Sequence, residues 1–66
     1  MHNDIKFIRH DRHNDKVSPI SAAAVRKAIG DFFFDRLVAG VGRGPYSSGR
    51  NAVEAHGFVF EAVLVR

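Results

Sequence analysis

Between Gly40 and Asn51 the chain gathers two arginines, a phenol and two hydroxyls: Arg43 and Arg50 enclose Gly44-Pro45-Tyr46-Ser47-Ser48-Gly49. Guanidinium groups grip phosphate, a Tyr ring stacks on an unpaired base, and Ser hydroxyls and the Asn51 amide supply polar contacts. Arg43, Tyr46, Ser47, Ser48, Arg50 and Asn51 are therefore the expected partner- or nucleic-acid-binding residues. The bland alternative is an exposed connection whose Gly, Pro and Ser serve turn geometry.

Other constellations carry less. His10, Asp11, His13 and Asp15, with His2 upstream, offer nitrogen and oxygen donors, but their spacing is loose, and fixed metal sites take ligands from ordered elements with a supporting second layer. Gly40-Val41-Gly42-Arg43-Gly44 is glycine-rich like a phosphate cradle, yet it follows a helix-like stretch instead of leading one, and no Gly-Lys-Ser/Thr comes after it. Ser47 lacks the nucleophile-elbow pattern because Pro45 stands where the first Gly belongs. Glu54 and Glu61 fall on the outer face of an expected sheet, near-diagonal and free to sit solvated. Neither catalysis, nor a metal, nor a cofactor is expected.

At 66 residues the chain forms a single small domain that buries only ~60% of the surface its unfolded form exposes, so its own core supplies ~3 to 5 kcal/mol. It has no Cys, which removes disulfides and thiolate zinc sites. Association with itself or a larger partner is the remaining source of stability. Ten Lys and Arg against seven Asp and Glu give a net charge of +3, enough to favour anionic partners but short of the dense basic stripe of a dedicated nucleic-acid binder. No apolar run reaches the ~20 residues of a membrane span and no secretory leader is evident, so the expected location is cytoplasmic.

The elements that would position these groups are four. Residues 4–10 alternate as a strand, with Ile5 and Phe7 on one face and Lys6, Ile8 and His10 on the other. Residues 11–16 are polar turn formers and read as a loop. Ser18-Pro19 predicts a helix start, Ser as cap and Pro at the first helical position, with the helix running over 19–38. At about 100° per residue Ala22, Val25, Ile29, Phe32 and Phe33 share one arc, Phe34 points outward with Val38, and Arg36 falls awkwardly inside the arc. Gly30 weakens the interior by ~1 kcal/mol, and Gly40 or Gly42 ends the helix before the 40–50 loop.

The C-terminal run, 51–65, predicts a hairpin turning on His56-Gly57, with Ala55 opposite Phe58, Glu54 opposite Val59, Val53 opposite Phe60 and Ala52 opposite Glu61. That register gathers Val53, Ala55, Phe58, Phe60, Ala62 and Leu64 on one face. A competing reading makes Asn51 the cap of a short helix through His56. The expected fold is α+β, in the order β-α-β-β: a three-stranded sheet with one helix packed on one face.

One helix covers one face. Ile8, Val59, Val63 and Val65 are left on the other, and with Phe34 and Val38 they form the expected interface, since exposed apolar patches mark interaction surfaces. The function that follows is a small non-enzymatic binding module docking on a larger protein or nucleoprotein through this apolar face and the basic Gly/Arg/Ser loop. Two alternatives stand beside it: a regulatory or inhibitory protein of a mobile genetic element that binds a host protein without nucleic acid, and a structural homo-oligomer.

Overall fold

A computed structural model describes residues 4–42 and 49–65. The chain runs β1 (Asp4–Asp11), β2 (Lys16–Ile20), α1 (Ala22–Ala39), β3 (Arg50–Ala55) and β4 (Phe58–Val65), so two hairpins flank one helix. The strands form one antiparallel sheet in the order β2-β1-β4-β3. The class is α+β as expected, but the sheet has four strands, not three.

The extra strand comes from Ser18-Pro19, which does not open the helix. β2 is an edge strand, where a residue lacking N–H is tolerated as long as that position faces away from the neighbour. The turn before it, residues 12–15, is built by Asx bonds: His13 N–H donates to Asp11 Oδ1 at 2.9 Å and Lys16 N–H to Asn14 Oδ1 at 3.2 Å, with Asp15 at φ 56°. The helix cap is instead Ser21, whose Oγ accepts from Ala24 N–H at 3.1 Å.

The second hairpin has the expected register, Ala55↔Phe58 through Ala52↔Glu61. His56 and Gly57 adopt φ 55° and 80°, the paired left-handed conformations of a two-residue turn whose twist matches the strands. β4 then lies against β1 from Asp4↔Val65 to Asp11↔Phe58. These two strands are the centre of the sheet, and Phe7, Phe60 and Ala62 on their helix-facing side are buried.

α1 is not one rod. Gly30 sits at φ 87°, ψ 161°, a region open essentially to Gly alone. Before the break Val25, Ala28 and Ile29 face the sheet; after it Phe34, Leu37 and Val38 do, followed by Val41 just past the helix. Both sets have helical i, i+3, i+4 spacing, but an unbroken helix would have carried the first set on through Phe32 and Arg36. The break resets the phase. Phe34 is therefore 8% exposed with its ring 5.5 Å from that of Phe7, and Phe32 and Phe33 are 66% and 51% exposed, the reverse of the orientations expected from a continuous helix. The reset also removes the Arg36 anomaly, because Arg36 is exposed and lies over the Phe32 ring at 5.7 Å.

The core comprises Phe7, Val25, Phe34, Leu37, Val41, Phe60 and Ala62, each large side chain contributing about 1.5–3 kcal/mol by its burial. The helix is tied to the second hairpin at two places. His56 Nε2–H donates to the Ala28 carbonyl at 3.2 Å, beside the Gly30 break. Asn51 Nδ2–H donates to the Leu37 carbonyl at 3.2 Å and, at 3.4 Å, to the Arg36 carbonyl, which also accepts from Gly40 N–H at 3.0 Å, so the side chain caps the helix end. Gly40 has ordinary helical φ; a Cβ there would overlap the Asn51 amide, so close approach requires the glycine.

Candidate docking surface

The sheet face away from α1 is the surface the sequence singled out. The strand registers place Lys6, Ile8 and His10 of β1, Val17 and Pro19 of β2, Arg50, Ala52 and Glu54 of β3, and Val59, Glu61, Val63 and Val65 of β4 on it, because side chains alternate along each strand. Ile8, Val59 and Val63 are half-buried by their neighbours, while Val17 and Val65 are exposed. The face is not a bare apolar stripe.

Its centre is polar. Glu61, with its side chain 18% exposed, receives His10 Nε2 on Oε1 at 2.9 Å and has Arg50 Nη1 3.7 Å from Oε2. One carboxylate thus links β1, β4 and β3 across the face. At the turn end, Arg12 pairs with Glu54. Valines flank these links, so the face presents apolar side chains on either side of a charged centre. Glu61 is thus not the solvated carboxylate the sequence predicts: its partner His10, 51 residues away, meets it only through the β1–β4 pairing and leaves no local signal.

The six expected binding residues divide. Arg43, Tyr46, Ser47 and Ser48 lie outside the described residues. Arg50 opens β3 on the open face, whereas Asn51 turns to the opposite side, with its amide on the helix end. Of the expected interface, Ile8, Val59, Val63 and Val65 share the open face. Phe34 lies in the core and Val38 packs against it, so an outward apolar pair on the helix is overturned. Among the described residues no three of His, Asp and Glu are placed to hold a metal ion, and no helix is long and apolar enough to cross a membrane.

A second exposed region was not foreseen. Phe32 and Phe33 meet edge to face at 5.4 Å. Phe33 also stands with Val53 in the grooves between the helix and β3. This aromatic surface follows from the phase reset at Gly30.

No protein-family model, curated protein or solved structure matches the chain. Its functional reading rests on these surfaces.

Proposed function

We propose that the chain is a non-enzymatic binding module that docks on a larger protein or nucleoprotein through the open face of its sheet. The observation that carries this reading is the uncovered face itself: Ile8, Val59, Val63 and Val65 beside Lys6 and Arg50, with α1 committed to the other side. Apolar side chains interleaved with basic ones suit a partner surface that carries anionic groups among apolar ones. Net charge +3 and the Arg43–Arg50 segment leading into β3 extend the same preference toward phosphate. A cytoplasmic location agrees with the absence of Cys.

The test is capture of partners by the wild type and by Val63→Asp, followed by titration of the purified partner across a salt series. Affinity that falls with salt and is lost in Val63→Asp, with circular dichroism unchanged, supports the reading. Equal capture by both proteins overturns it. Titration of a mixed-sequence single-stranded oligonucleotide against the wild type and an Arg43→Ala/Arg50→Ala variant measures the nucleic-acid contribution; a salt-independent or absent signal removes that part.

A further inference from the structure

We infer that the chain pairs with a second copy of itself, β3 against β3, antiparallel and edge to edge, about a two-fold axis through Ala52. The two edges of the sheet differ in the way this requires. β2 carries Pro19, which has no N–H to offer, and exposed Lys16, both devices that discourage strand addition. β3 has no Pro, and its exposed charged residues Arg50 and Glu54 are of opposite sign, so they do not repel a second copy of the same edge. The two-residue turn and the Leu64 N–H bond to the Gly49 carbonyl at 2.8 Å fix which residues of β3 bond β4: Ala55, Val53 and Asn51. In an antiparallel ladder the alternate residues then direct N–H and C=O outward, which exposes the backbone of Ala52 and Glu54 along the edge.

The side chains complement themselves. With Ala52 opposite Ala52 of the second copy, Arg50 of each chain faces Glu54 of the other, twice over by symmetry. All sit on the open face, and both charged side chains are more than half exposed, 64% for Arg50 and 56% for Glu54. A small residue at the axis lets the backbones approach, and opposite charges directly across a strand pair stabilise that register. On the helix side, Val53 and the half-exposed Phe33 stand over the same edge, so pairing also covers aromatic surface. Both helices end on one side and the two open faces merge into one continuous eight-stranded sheet. Ile8, Val59, Val63 and Val65, proposed above for partners, are left uncovered, while Arg50 is shared between the two contacts.

Sedimentation and native mass spectrometry test this. The wild type is expected as a dimer that dissociates on dilution. Arg50→Glu and Glu54→Arg each place like charges opposite one another and should raise the dimer dissociation constant about tenfold or more, whereas their 1:1 mixture should regain a heterodimer of wild-type affinity. The double swap Arg50→Glu/Glu54→Arg should dimerise as the wild type does. Ala52→Pro should abolish dimers while circular dichroism retains the fold, since its N–H faces outward. A wild type that stays monomeric up to about 1 mM, the scale of a contact worth only ~4 kcal/mol, overturns the proposal. So do single charge variants that associate like the wild type, or a mixture that gains nothing. A dimer lost in Val63→Asp but kept in Ala52→Pro assigns self-association to the open face and overturns it too.

Discussion

The β3–β4 hairpin turns on two residues, places Phe60 and Ala62 under the helix, and bonds that helix through His56 beside the Gly30 break and Asn51 at its C-terminal end. The β1–β2 hairpin turns on four polar residues and ends in a five-residue strand that leaves Val17 58% exposed. Toward the helix β2 directs Lys16, Ser18 and Ile20, of which Ile20 alone is apolar. The difference teaches that strand count is a poor guide to what holds this fold. One hairpin and half of the other supply the sheet side of the core beneath α1, and β2 belongs to the low-stability end of the molecule, where local opening is cheapest.

Five substitutions and one exchange experiment break or sharpen that contrast. Phe60→Ala removes a ring 2% exposed at the centre of the sheet and should cost ~3–5 kcal/mol, as much as a core this small supplies. Loss of the cooperative thermal transition is expected, and a melting temperature near the wild type would refute the ranking. Gly30→Ala meets no atom within 4 Å, so its cost of about 1–3 kcal/mol is backbone conformation alone. Urea titration should show it, and a neutral result would mean the helix does not break there.

At the turns, Gly57→Ala at φ 80° should lose ~1–2 kcal/mol in denaturant titrations, whereas Asp15→Gly at φ 56° relieves a left-handed residue and should be neutral or slightly stabilising. Equal losses at both turns would erase the contrast. The smallest effect belongs to Val17→Ala, within ~0.5 kcal/mol. Amide exchange completes this last comparison: β2 should lose protection well before β1 and β4, and uniform protection across the four strands would contradict a weak first hairpin.

The same contrast explains what was legible. His56-Gly57 is a strong local turn signal between alternating segments, so the register of β3 on β4 and the apolar face of β4 could be read residue by residue. The polar turn at residues 12–15 is legible as a loop, but Ser18-Pro19 reads as a helix start, because an edge strand with one inward apolar residue has almost no periodicity of its own. Ser-Pro satisfies the rules for a cap as well as it satisfies an outer strand edge. Phe34, Phe32 and Phe33 were misplaced for a different reason: a single glycine at positive φ shifts every later side chain around the helix, and composition does not reveal which glycine does so. Arg36 in the middle of an apolar arc is the sequence sign that the helix does not run unbroken.

Local chemistry by itself determined an antiparallel C-terminal hairpin, a first strand with Phe7 inward and Ile8 outward, one helix, and an open sheet face, because period-two alternation and turn conformation are encoded by neighbours. The tertiary structure alone decided the fourth strand, the break at Gly30, the His10–Glu61–Arg50 link and the place of β3 at the edge of the sheet. Each of those depends on which distant segments lie side by side, and that is settled by the packing of the whole core rather than by any short run of residues.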